Sequence, residues 1–116
     1  QVGKELQQIL PSYGNLISVE RPTVDLAQPD TLRNVIRLNQ PKIIINAAAY
    51  TAVDKAESES ELATAINATA PLIIAQESQK LGAFLIHIST DYVFDGNGCS
   101  PYHPPYCLGL WNFWQK

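Results

Sequence analysis

Three short apolar runs, 15–20, 41–46 and 83–88, alternate along this chain with three segments whose apolar residues recur at helical spacing. A run such as Ile43-Ile44-Ile45 has no polar alternation, which is the pattern of a strand buried on both faces of a parallel sheet. The expected order is helix, strand, helix, strand, helix, strand. That order argues an α/β fold, a parallel sheet flanked by helices.

The helical segments carry their own punctuation. In Lys4 to Leu10, the residues Leu6, Ile9 and Leu10 share one face, and Pro11 and Gly14 end the helix. Thr31 to Asn39 places Leu32, Val35, Ile36 and Leu38 on an apolar face. A long helix is expected over Ser60 to Lys80, with Gly82 as its stop. Asn67 is a polar residue inside that apolar-periodic stretch, and its expected role is structural, bonding a neighbouring loop.

The chemistry gathers where the third run ends. Ala83-Phe84-Leu85-Ile86-His87-Ile88 has a single polar interruption and turns abruptly into Ser89, Thr90 and Asp91, then closes on Asp95-Gly96. Ligands of open parallel sheets sit just outside the carboxyl ends of the strands. On residue types alone, Thr90 and Asp91 either cap the following turn or meet a ligand there. The second run likewise empties into Ala47-Ala48-Ala49. Such small side chains let a backbone approach a ligand closely, and their propensity equally suits a helix start. Asp54, Lys55 and Glu57 mark a solvated face.

Bulk properties exclude several classes. A length of 116 residues allows one domain at most. The net charge of -3 leaves no basic stripe for nucleic acid. No apolar run reaches the ~18 residues of a membrane span. No charged-then-apolar leader precedes the first helix, so the cytoplasm is the expected compartment. Cys99 and Cys107 lack a second pair, and His103 between them leaves the set short of four ligands, so neither a disulfide framework nor a metal site is expected.

Two longer motifs are more specific. Ser89-Thr90-Asp91-Tyr92-Val93-Phe94-Asp95-Gly96 resembles a segment of the dTDP-4-dehydrorhamnose reductases, in the extended short-chain dehydrogenase/reductase superfamily. Asn46-Ala47-Ala48-Ala49-Tyr50-Thr51-Ala52-Val53-Asp54-Lys55-Ala56-Glu57 is similar to a cofactor-contacting segment of the same family. The resemblance covers residues 1–102 and implies a partial NAD(P)-binding domain, Rossmann-like, with NADPH or NADH as cofactor. Gln1, Val2 and Gly3 would close the family's Gly-x-x-Gly-Gln-Val-Gly turn, whose amides hold a pyrophosphate at a helix N-terminus. The first strand and earlier glycines of that pattern are not in these 116 residues, so an incomplete sheet is expected.

The resemblance also assigns roles. Glu20, ending the first run, would accept hydrogen bonds from the adenosine ribose, and Arg21 beside it could instead pair with a 2′-phosphate. A plain surface Glu-Arg pair remains the alternative. Asp25 and Leu26 resemble the family's word near the adenine, and Ala49, Tyr50, Thr51 and Ile88 would lie against the dinucleotide. Thr90 would hydrogen-bond the reacting carbonyl as the catalytic and substrate-binding hydroxyl, and Asp91 would help fix the sugar.

After Tyr102 the pattern breaks. Residues 103–116 hold both tryptophans and one charged residue, Lys116, with neither helical nor strand periodicity. The family should continue into a Val-Tyr-Gly-x-x-Lys helix supplying the proton-donating tyrosine and the lysine that lowers its pKa. Neither is in register: Tyr106 has no lysine four residues on, and Lys116 has no tyrosine four residues before. If Gly109 is encoded GGT and Leu110 by a codon ending in A, a one-base shift through Gly109-Leu110-Trp111-Asn112 reads Val-Tyr-Gly. A frameshifted or misassembled reading frame is therefore the expectation for this non-family tail.

The implied parent activity is hydride transfer from NADPH or NADH to the 4-keto group of a nucleotide-linked deoxysugar in dTDP-L-rhamnose biosynthesis. The chain as given is expected to be inactive. The rival is a non-catalytic binding module, since regulatory subunits of methionine adenosyltransferase resemble the same reductases, including the Asp-Tyr-Val-Phe-Asp-Gly word.

Overall fold

The structure is a computed structural model, and it describes residues 1–90. Helix α1 spans Val2–Ile9 and tightens into a 3-10 turn at Leu10–Ser12, where Pro11 sits. The stretch from 15 to 20 was expected to be a strand, but no strand is formed there. A strand needs a hydrogen-bonding neighbour for its backbone groups, and among the described residues no ladder runs beside this one. It is held instead by a side chain, the Gln7 amide donating to the Ser18 hydroxyl. A turn follows in which the amides of Thr23 and Val24 donate to the Glu20 carbonyl.

Helix α2 covers Pro29–Asn39. Pro29 suits the first turn because its fixed φ is helical and its missing N–H is not needed there. The Thr31 hydroxyl donates to the Gln28 carbonyl at 2.8 Å, and Gln40 ends the helix in the left-handed region at φ 42°. Leu32 and Ile36 are buried as their spacing predicts. Leu38 is not: at 83% exposure it leaves the expected apolar face, since a residue two after Ile36 points some 200° around the helix.

Strand β1, Ile43–Asn46, leads through α3 (Val53–Ala56), α4 (Ser60–Thr64) and α5 (Ala70–Leu81) to strand β2, Phe84–His87. The single helix expected from Ser60 to Lys80 is interrupted by a π-helical turn at Ala65–Thr69. Pro71 accounts for this: it lacks an N–H and its ring crowds the carbonyl four residues earlier, so the ladder loosens just ahead of it. Gly82 stops α5 as expected, at φ 65°, with the Ala83 amide returning to the Ser78 carbonyl at 2.8 Å.

The two strands pair in parallel with Ile43 opposite Phe84 and Asn46 opposite His87. Because side chains alternate across a strand, Ile44 and Leu85 share one face, and Ile43, Phe84 and Ile86 share the other. The first face is covered. Ile44 and Leu85 pack against a core of Val24, Leu32, Ile36, Ala70, Ile73 and Ile74, contributed largely by α2 and α5. On the second face Phe84 is 77% exposed, and Ile43, Ile86 and Ile88 are exposed as well.

One ion cluster is set into the α2–α5 contact. Glu77 is 2% exposed, and its two carboxylate oxygens accept from Arg37 Nε at 2.7 Å and Arg37 Nη2 at 2.8 Å. Lys80 Nζ donates to the same carboxylate at 2.8 Å. Burying a carboxylate costs heavily unless it is paired and hydrogen-bonded, and here both oxygens are satisfied.

Candidate functional site

Parallel pairing makes β1 and β2 end at the same edge of the sheet, at Asn46 and His87. Asn46 is buried, and its side chain ties the edge together. Its Nδ2 donates to His87 Nδ1 at 3.1 Å, and its Oδ1 accepts from the Ala48 amide at 3.2 Å. The Ile88 amide extends the ladder by donating to the Asn46 carbonyl at 3.1 Å. Burial pushes the His87 pKa down, which keeps the imidazole neutral and leaves Nδ1 a lone pair to accept with.

Beyond Asn46 the backbone turns outward through three alanines. Ala48 and Ala49 are exposed, with nothing larger than a methyl group between their backbone and an approaching ligand. Tyr50 is then fixed twice over. Its N–H donates to Asn67 Oδ1 at 2.8 Å, and its carbonyl accepts from Asn67 Nδ2 at 3.0 Å. The Tyr50 hydroxyl donates to Glu59 Oε2 at 2.7 Å, and this bond to a carboxylate raises the phenol pKa. The structural role expected of Asn67 is the one it has.

Of the residues singled out in the sequence, Ala49, Tyr50 and Thr51 follow β1, and Ile88 and Thr90 follow β2, so both groups leave the same sheet edge. Gln1 and Val2 are exposed at the start of α1, and no atom lies within 4 Å of where a Cβ on Gly3 would sit. Glu20 is exposed. Asp25 is committed locally: its carboxylate accepts from Arg21 Nη2 at 3.2 Å and from the Ala27 amide at 3.0 Å, while Leu26 packs against the core. Arg21 is thus engaged with Asp25 rather than with Glu20. Asp91 lies outside the described residues. Two shallow recesses of about 320 and 390 Å³ lie along α4, one lined by Ser60, Glu61, Thr64, Ala65 and Thr69 and the other by residues 58–62, with no strand residue in either lining.

Sequence reading missed the Asn46–His87 pair and the Glu59 partner of Tyr50. His87 did carry a signal, as the one polar interruption of an apolar strand. Asn46 carried none beyond standing at a strand end, and Glu59 none at all.

Residues 1–106 match the RmlD substrate binding domain family. The chain belongs to that family. It is 49% identical over 106 residues to the dTDP-4-dehydrorhamnose reductase of Escherichia coli K12, covering 88% of this chain and 36% of that protein. The reductase of the same name from Burkholderia thailandensis is 42% identical over 102 residues, covering 88% and 34%. Among solved structures, the dTDP-4-dehydrorhamnose reductase of Bacillus anthracis in complex with NADP superposes with a TM-score of 0.77 at 41% identity, covering 84% of this chain and 36% of that one. The Clostridium acetobutylicum protein gives 0.83 at 32% identity, covering 99% and 45%. The chain therefore spans about a third of the length of the curated relatives it matches. Its fold is the Rossmann-like α/β fold expected, here with a short parallel sheet and flanking helices.

Proposed function

We propose that residues 1–102 are the dinucleotide-binding part of a dTDP-4-dehydrorhamnose reductase, and that the tail foreign to the family, expected from 103, begins after the family match ends at 106. The observation that carries this reading is the shared sheet edge. Two parallel strands deliver a small-residue turn, Ala47–Ala49, and a hydroxyl, Thr90, to the end where α/β folds bind ligands. The likeness to reductases, one of them holding NADP, supplies the ligand class.

In this reading NADPH or NADH supplies the hydride, and the chain's own residues bind and orient. Ala49, Tyr50, Thr51 and Ile88 lie along the dinucleotide, with Tyr50 held rigid by Asn67. Gln1, Val2 and Gly3 approach the pyrophosphate, and Glu20, Asp25 and Leu26 the adenosine end. Thr90 donates a hydrogen bond to the substrate carbonyl, and Asp91 helps hold the sugar.

Proton donation is a separate matter. The family's tyrosine and lysine pair is not in register in these 116 residues, and a threonine hydroxyl is a far weaker acid than a phenol. General-acid catalysis is worth about 10²–10⁴ in rate. The 116-residue chain by itself is therefore inactive in this reading.

Splicing residues 1–90 in place of the matching segment of the Escherichia coli reductase tests both halves. The chimera should oxidise NADPH or NADH in the presence of dTDP-4-dehydro-L-rhamnose, and Thr90→Val should depress its turnover. A folded chimera without turnover, or one indifferent to Thr90→Val, counts against the proposal. Turnover by the 116-residue chain alone would refute its inactivity.

A further inference from the structure

Each strand is polar at one position only, and the two positions face each other. β1 reads Ile43-Ile44-Ile45-Asn46 and β2 reads Phe84-Leu85-Ile86-His87, with Asn46 the register partner of His87. Apolar residues at both places would continue the runs with no polar group to desolvate. The fold instead buries an amide there, Asn46 being 6% exposed, at the edge where the Ala47–Thr51 and Ile88–Thr90 segments leave the sheet.

The bonds of that amide are divided between the strand and the turn. Its Nδ2 donates to His87 Nδ1 at 3.1 Å, and its Oδ1 accepts from the Ala48 N–H at 3.2 Å. The second bond is an Asx turn, in which a side chain sets the backbone two residues on. It requires the oxygen on the turn side, since a flipped amide would point its own N–H groups at the N–H of Ala48. His87 enforces that orientation. A neutral ring with a lone pair on Nδ1 accepts from the NH₂ group and repels the oxygen, and burial of the ring favours the neutral form.

We propose that Asn46, oriented by His87, is a positioning residue for dinucleotide binding, setting through the Ala48 amide the course of the backbone from Ala48 to Thr51. This rests on the dinucleotide-binding reading above and adds to it two residues that work through the backbone. His87 acts by way of Asn46, so the two stand in series and are not independent supports.

The chimera carrying residues 1–90 in the Escherichia coli reductase tests this. Dissociation constants for NADPH and NADH are measured by fluorescence, together with turnover, on protein shown by circular dichroism to be folded. Asn46→Leu removes both bonds and should weaken cofactor binding roughly tenfold. His87→Leu frees the Asn46 amide to flip and should weaken binding roughly two- to fivefold. His87→Asn places an amide oxygen where Nδ1 stands and should restore the original affinity. The double variant should bind no worse than Asn46→Leu alone, as residues in series require. Turnover at saturating cofactor should change little, because the turn binds ground and transition states alike. Glu77→Gln, whose partners are Arg37 and Lys80, should lower the melting temperature and leave the dissociation constants unchanged.

If Asn46→Leu does not fold, the comparison of His87→Leu with His87→Asn decides alone. A parent chimera that binds neither cofactor sinks the dinucleotide reading and this proposal with it. A parent that binds, with variants that bind equally well, overturns the proposal and leaves that reading standing. So does a His87→Asn chimera no better than His87→Leu, or a double variant whose losses add.

Discussion

The side-chain amide of Asn67 holds both backbone groups of Tyr50, accepting from its N–H at 2.8 Å and donating to its carbonyl at 3.0 Å. The pair bridges 17 residues and anchors the loop after β1 to the π-helical turn before α5. An amide can do this because it is both donor and acceptor, so it imitates the neighbour that a strand residue would have.

Asn67→Leu removes both bonds and should cost about 1–3 kcal/mol, the range for two partly exposed hydrogen bonds of ordinary strength. Asn67→Asp keeps an acceptor for the Tyr50 amide but loses the donor, so it should cost less. Urea unfolding measures both. Hydrogen exchange at the Tyr50 amide should speed up in Asn67→Leu and much less in Asn67→Asp.

Glu77 should govern the acid side of the stability curve. Hydrogen bonds from Arg37 and Lys80 pull its pKa from 4.5 to about 2. A carboxyl depressed in the folded state binds fewer protons there than in the unfolded chain. Its contribution is thus complete above the unfolded value near 4.5 and is lost as pH falls from there toward 2. Thermal melts between pH 2 and 6 should show a steep fall in that window. Glu77→Gln should flatten the fall, with its largest deficit at neutral pH and little at pH 2.

His87 should act on the other side of that window. Its pKa lies below the ordinary 6.5 because of burial. The folded state therefore resists protonation, and stability is complete above 6.5 and declines as pH falls below it. Protonation also fills the Nδ1 lone pair that accepts from Asn46 Nδ2. His87→Phe should remove this part of the pH dependence. An NMR titration of the His87 ring should give a midpoint below 6.5, and protonation should shift the Ala48 amide, which shares Asn46 as its partner.

The core makes a simpler prediction. Ile73 is buried where α5 meets α2 and the sheet, so Ile73→Ala should cost about 2–5 kcal/mol through lost transfer energy and the cavity left behind. Leu38→Ala, on the exposed side of α2, should stay within about 0.5 kcal/mol. Denaturant midpoints of the two variants compare them directly.

Local pattern determined a good deal of this protein. Apolar runs at 43–46 and 84–87 are strands and Gly82 stops its helix. Leu32 and Ile36 are core, and Asn67 bonds a loop. Each of these is visible in local pattern, as an apolar spacing, a polar interruption or a backbone angle that one side chain sets, although the strands and the Asn67 bond are completed by partners farther along the chain. The family, too, was legible from the two motifs around Ala49 and Thr90, although the second lies only partly within the described residues.

Tertiary structure decided what requires a partner from afar. The run at 15–20 has the composition of a strand but forms none, because a ladder is a property of two segments. Glu77 is buried as a fully paired carboxylate because Arg37, 40 positions earlier, reaches it from another helix and joins Lys80. Asn46 and His87 are 41 residues apart, and only the parallel register sets them side by side. Ile43 and Ile44 are identical in type, yet one is exposed and the other packs on the core, because the helices cover a single face of the sheet. A sequence records each residue's preferences; which neighbour satisfies them is settled when the chain closes on itself.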